Sequence, residues 1–133
     1  MKMEWTTRVQ LFLLRFWQPT TACMTCMPGS LTNIASPAHW QLALQTGLGT
    51  GLLALLLSFT PARRLYANPY SNALVVAGLT TLGDLWSHPG HYGGAIGEAL
   101  LTGAVSGTFA LVAWFLFADR ARRVRIFWRW LRG

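Results

Sequence analysis

The chain has 133 residues, of which 53% are hydrophobic and only 11% charged, against about 25% charged in an average soluble protein. Eleven basic and four acidic residues give a formal net charge of +7. So few charges cannot cover a water-soluble surface, which excludes an ordinary soluble domain and makes a lipid bilayer the expected solvent.

The length suits one domain. Ten of the eleven basic residues are arginine, a bias that suggests a GC-rich bacterial or phage genome. Six of those arginines lie in the last fourteen residues, directly after an apolar run. That placement reads as membrane orientation and contact with anionic lipid, so nucleic acid is not the expected partner.

The first segment is 4-EWTTRVQLFLLRFWQ-18. Its apolar core, Val9 to Trp17, is well short of the roughly 20 residues needed to span a bilayer. Arg8 and Arg15 lie seven apart and share a helical face. The segment therefore predicts an amphipathic helix in the membrane interface, ended by Pro19 and followed by a loop to Pro37. Arg15 and Pro19 also argue against a cleavable signal peptide. The loop carries 23-CMTCM-27. Cys23 and Cys26 could be structural thiols, a disulfide, a soft-metal site suited to Cu(I), or a redox pair. A closed zinc site would need two more ligands. No Leu stands where a lipidation signal before Cys23 would need one.

Three spans are expected next, at about 38–59, 71–88 and 92–118. The first has an uncharged core, 46-TGLGTGLLALLLSF-59, with His39, Trp40 and Gln41 at its entry and Pro61 at its exit. A loop with Arg63 and Arg64 follows. The second span is short and carries Asp84 near its end. Pro89-Gly90 then forces a turn. The third ends in 111-LVAWFLFA-118.

Small residues recur every four positions in each span: Ala43, Gly47 and Gly51 in the first, Ala73 and Ala77 in the second, and Ala95, Ala99, Gly103 and Gly107 in the third. Such faces let helix backbones approach closely. Glu98, Thr102 and Ser106 form a polar line on the third span, and Gln41 and Gln45 a shorter one on the first. Lipid-facing Glu or Gln is costly, so both lines are expected to face protein or a wet cavity.

The tail, 119–133, places Arg122, Arg125, Arg129 and Arg132 on one helical face, with Val124, Phe127, Trp128 and Leu131 opposite. This is the pattern of a basic amphipathic helix, which Trp128 and Trp130 would anchor at the interface of an anionic leaflet or against a partner. The Lys/Arg balance of a three-span chain puts the Arg63/Arg64 loop and the tail in the cytoplasm and the N-terminus outside, in a bacterial inner membrane. Lys2, Arg8 and Arg15 weigh against that placement of the N-terminus.

One polar group stands out. Asp84 and His88 are four apart and share a face if the helix reaches them. His91 follows the turn, and Glu98 lies about two turns into the next helix. The four could meet at the outer mouth of a helical hairpin. They could be ordinary turn and interface residues, an ion-pair cluster, a proton-titrating group, or ligands for Zn, Fe or Mn. There is no nucleophile–base motif and no phosphate loop, so no enzyme is expected. No cofactor is expected beyond a metal at these residues or at Cys23 and Cys26.

The expected fold class is therefore an all-α integral membrane protein. It has about three transmembrane helices in a small bundle, an N-terminal interfacial helix and loop over 1–37 and a basic amphipathic tail. The layout, though no motif, is similar to that of small phage holins. That resemblance implies self-association through the Gly/Ala faces and pore formation. The other expected role is an accessory or scaffold subunit docking on other membrane subunits, and a third is metal handling.

Overall fold

Three of the helices begin where the local sequence supplies both a cap and a fixed φ. Ser36 accepts the His39 amide at 3.4 Å, and Pro37 occupies the first helical turn. Asn68 accepts the amides of Tyr70 (2.9 Å) and Ser71 (3.3 Å) ahead of a helix opened by Pro69. Thr60 does the same for a short 3-10 segment, Pro61–Ala67. Each cap satisfies amides that a helix start leaves open, where proline loses nothing.

A computed structural model of the chain describes residues 5–26, 36–88 and 96–130, with side chains described to Thr25, from Ser36 to His88 and from Ile96 to Phe117. It consists of α1 (Trp5–Cys26), α2 (Pro37–Ser58), the 3-10 segment, α3 (Pro69–Ser87) and α4 (Ile96–Trp130), with no strand among the described residues. Among the described residues two stretches are long and apolar enough to cross a membrane, Pro37–Ser58 and Ile96–Phe117. α3 is not among them, because Asn72, Thr80, Thr81, Asp84 and Ser87 lower its apolarity. The three expected spans thus correspond to three helices, of which two have the hydropathy of a span.

The N-terminal region departs from expectation. Pro19 does not end the first helix. It lies inside α1, fully buried, and the helix continues to Cys26. A proline removes one backbone bond and crowds the preceding turn. Here Thr20 donates to the Phe16 carbonyl at 2.7 Å and Thr21 to the Gln18 carbonyl at 2.8 Å, in the turn the proline disturbs. Hydroxyls used in this way let prolines persist in apolar helices.

Nor does α1 stand apart from the rest. It packs along α2, with Phe12 against Gly51 and both Phe16 and Thr20 against Gly47. It is the fourth member of a bundle rather than a lone interfacial helix. The tail departs as well. The helix that contains the third expected span runs on unbroken through Arg122, Arg125, Trp128, Arg129 and Trp130 as one 35-residue helix. At about 1.5 Å per residue it exceeds the roughly 30 Å of a bilayer core. Arg132 lies outside the described residues.

The pairings run antiparallel. Rising numbers on α2 (Gly47, Gly51) meet falling numbers on α1 (Thr20, Phe12), and Arg8 stacks on Phe59 at 3.9 Å. Gly83 meets Thr46 and Thr50, while Gly103 meets Ala77 and Thr81 and Gly107 meets Ala73. α4 closes the ring on α1. The result is an up-down-up-down four-helix bundle. The start of α1, the Arg63/Arg64 segment and the far end of α4 share one end. The C-terminus of α1, the N-terminus of α2, the C-terminus of α3 and the N-terminus of α4 share the other.

The interior is built of small and hydroxylated side chains. Ala22, Ala43, Ala54, Val76, Ala99 and Ala110 are buried beside Thr20, Thr46, Thr50, Thr80, Thr102 and Ser106. The large apolar side chains point outward, among them Leu56, Leu74, Leu82, Trp86, Leu100 and Phe117. A soluble core has the reverse arrangement. At the 3-10 end Arg15 is buried and donates to Gln18 and, at 2.6 Å, to Asn72. Tyr66 lies beside it and donates to the Ala54 carbonyl at 3.2 Å. Burial pushes the Tyr66 hydroxyl above its usual pKa, and the Arg15 charge opposes this less strongly.

Candidate functional site

The small residues singled out in the sequence are where helices touch. A Cβ on Gly47 would collide with the Thr20 hydroxyl and the Phe16 carbonyl. One on Gly51 would stand 3.0 Å from the Phe12 ring, and one on Gly107 2.8 Å from the Ala73 carbonyl oxygen. Gly103 faces the Thr81 hydroxyl and the Ala77 carbonyl, while Ala43 and Ala99 are fully buried. Ala95 lies outside the described residues. These faces are therefore occupied within a single chain. Gly83, which the four-residue pattern did not pick out, does the same for α2 and α3: a Cβ there would stand 2.6 Å from Thr50 Oγ1.

Of the two polar lines, Thr102 and Ser106 are buried and Glu98 is half-buried, as expected for a line facing protein. The other line differs. Gln41 is exposed and Gln45 half-buried, and both line an open apolar groove with Phe16, Trp40, Leu44 and Leu48.

At the end opposite the arginine-rich segment, two groups that are 61 residues apart in sequence come together. α3 reaches its last turn intact, and the His88 amide bonds the Asp84 carbonyl at 2.9 Å. Asp84 and His88 thus share a face, with Oδ1 and Nδ1 3.3 Å apart. Because α1 continues past Pro19, Cys23 also arrives here, its Sγ 4.0 Å from His88 Nε2. Ligand atoms of Cys23, Asp84 and His88 all lie within 4.8 Å of one another, and all three residues are buried. One thiol of the pair, Cys23, and two members of the His/Asp/Glu group, Asp84 and His88, separate candidates in the sequence, thus share this one site.

A hydroxyl network holds the carboxylate. Thr46 donates to Asp84 Oδ1 at 3.2 Å and meets the Ser87 hydroxyl. Ser87 Oγ lies 3.0 Å from His88 Nδ1, and the Asp84 carbonyl 3.2 Å from the same nitrogen. Three oxygens thus surround Nδ1 and favour the tautomer with its proton there. The Nε2 lone pair then faces Cys23. Glu98 is close enough to act on His88 electrostatically. His91 lies outside the described residues, and Cys26 is placed only by its backbone, in the last turn of α1.

Sequence reasoning missed Thr46, Ser87 and His39. Thr46 shares a helical face with Ala43 and Thr50, a legible but unspecific signal. His39 is buried at the entry of α2, its ring 6.5 Å from that of His88.

A thiol, an imidazole and a carboxylate in this order can do two things. They can hold a borderline metal ion, or they can pass a proton from thiol to imidazole. Cys23 is only 2% exposed, which leaves a substrate carbonyl no approach in this conformation. A metal ion needs no such open face. Comparison with protein-family models, curated proteins and solved structures finds no match to this chain.

Proposed function

We propose that this chain is a metal-handling protein of the membrane, with its centre between Cys23 and His88 and Asp84 held against the Nδ1 side of His88. The observation that carries the reading is the convergence of those three side chains from α1 and α3 inside the bundle. The outward-facing large apolar residues and the small, polar interior support a bilayer as the surrounding solvent.

The bundle also bears on orientation. No Lys or Arg occurs from residue 16 to 62 or from 65 to 119. In a four-helix antiparallel bundle, Arg8, Arg63, Arg64 and the tail arginines share one end. Arg8 and Arg15, which opposed a three-span chain, then agree with the others. The basic end is cytoplasmic by the positive-inside rule, with anionic lipid around it. Reporter fusions at the two termini are expected to report the cytoplasm in both cases. Opposite sides would return α1 to the interface and the chain to three spans.

The metal reading is tested on protein purified in detergent under reducing conditions and loaded with Zn²⁺. About one ion per chain is expected, falling to background in Cys23→Ser and in His88→Ala. Wild-type protein that retains no more zinc than the two variants overturns it.

A second reading keeps the self-association expected from the sequence but moves it off the Gly/Ala faces. Gln41 and Gln45, on the open groove of α2, each offer a donor and an acceptor. A second copy related by a two-fold axis would satisfy them with their own counterparts. Gln41→Cys is then expected to form a cross-linked dimer in membranes, which Leu74→Cys on the outer face of α3 does not. Equal cross-linking at both positions means random collision and removes this reading.

A further inference from the structure

His39 was read in the sequence only as an interfacial residue. In the bundle it is 8% exposed, and its Nε2 is buried without a hydrogen-bond partner among the described residues. A buried imidazole nitrogen left unpaired costs on the order of 1–3 kcal/mol, so its persistence calls for an explanation. Its own amide is used by the Ser36 cap, which fixes the first turn of α2. Its ring lies 6.5 Å, centre to centre, from the ring of His88, the residue whose Nε2 faces Cys23.

We propose that His39 is a ligand of the same centre through Nε2, giving a donor set of one thiolate and two imidazoles. The inference rests on the metal reading above. Asp84 then acts from behind, on the Nδ1 side of His88, fixing the tautomer and raising the basicity of the ligating nitrogen. Two imidazoles that share an ion at about 2.0–2.1 Å have ring centres about 5–6 Å apart. The observed 6.5 Å therefore asks for an inward movement of about 1 Å on binding, within reach of a side-chain rotation.

This set identifies the class of ion. One soft sulfur and two borderline nitrogens favour a divalent ion of the zinc type over Mg²⁺ or Ca²⁺, which select oxygen. Three protein donors leave one coordination position open, as in sites where the ion meets a further ligand. A site with such a vacancy can take up and release its ion more readily than a closed one.

The test uses Co²⁺ as a spectroscopic substitute for Zn²⁺, added to the full chain in detergent under reducing conditions. Wild type is expected to show a thiolate-to-cobalt charge-transfer band together with the d–d bands of a tetrahedral ion. His39→Ala keeps the charge-transfer band, shifts the d–d bands and loses affinity. The loss exceeds the roughly 10–100-fold that removing an outer-shell partner costs. Asp84→Asn stays within that range and leaves the d–d bands in place.

Unchanged affinity and d–d bands in His39→Ala overturn the proposal while leaving the metal centre standing. Absence of the charge-transfer band in wild type overturns the metal reading itself. Because His39 Nε2 bonds nothing among the described residues, His39→Ala is expected to stay monodisperse. Should it not, His39→Leu, closer in volume, carries the same comparison.

Discussion

Gly103→Leu is expected to prevent assembly of the bundle, and Gly78→Leu to leave it intact. Gly103 sits where α4 crosses α3. Even a Cβ there would collide with the Thr81 hydroxyl and stand 2.6 Å from the Ala77 carbonyl oxygen. The second of these is backbone, which cannot rotate away. Thr81 already spends its hydroxyl on the Ala77 carbonyl at 3.0 Å. A leucine must therefore separate two helices that here approach to backbone contact, Gly103 against the Ala77 carbonyl. Overpacking of this kind costs about 3 kcal/mol, a large part of the stability of a small domain. A Cβ on Gly78 meets nothing within 4 Å, and its leucine would point outward beside Leu74 and Leu82. Thermal unfolding of the two variants, followed by size exclusion in detergent, checks the pair. A Gly103→Leu variant that melts like wild type and has lost only oligomers would mean that this face joins separate chains.

Asp84→Leu is expected to be nearly as damaging, and Asp84→Asn mild. Asp84 is fully buried and accepts from Thr46, with His88 Nδ1 3.3 Å away. Leucine removes the acceptor and leaves those donors inside the bundle with fewer partners. The lost bonds and uncompensated desolvation come to about 3 kcal/mol. Asparagine keeps the shape and one carbonyl acceptor, so Thr46 and a neutral His88 remain served. It costs about 1 kcal/mol. Denaturation of both variants in metal-free detergent separates the contributions. If Asn proves as damaging as Leu, the negative charge itself is needed, and the native pair is an ion pair with protonated His88 rather than a neutral hydrogen bond.

The two effects bear on different properties. The glycine tests how close the helices must lie, and the aspartate tests what the interior must satisfy once they are there. Both follow from an interior of alanine, glycine, serine and threonine. Such an interior offers little hydrophobic burial, so close backbone approach and paired polar groups hold the helices together.

Much of this was legible along the chain. The helix starts at Ser36-Pro37 and Asn68-Pro69 follow from cap chemistry within three residues. The helical period alone put Asp84 beside His88, and Gly103 and Gly107 on one face. The concentration of arginine at the 3-10 segment and the tail is a matter of composition. Other features were not legible. Pro19 reads locally as a stop, and it is overridden because α1 packs against Gly47 and Gly51, residues about thirty positions away. Nothing in 23-CMTCM-27 announces that Cys23 will lie 4.0 Å from a histidine 65 residues on. His39 looked like any residue at a membrane boundary.

The sequence by itself determined that the chain is helical, where α2 and α3 lie, their apolarity and the lopsided distribution of charge, because those depend on residues within a few turns of one another. The tertiary structure alone decided that the first helix belongs to the bundle, that the small faces are spent inside one chain, and that the thiol and the carboxylate–imidazole pair form a single site. Those outcomes turn on which helix faces meet. Sequences rich in small residues allow many close pairings, and only the folded chain selects among them.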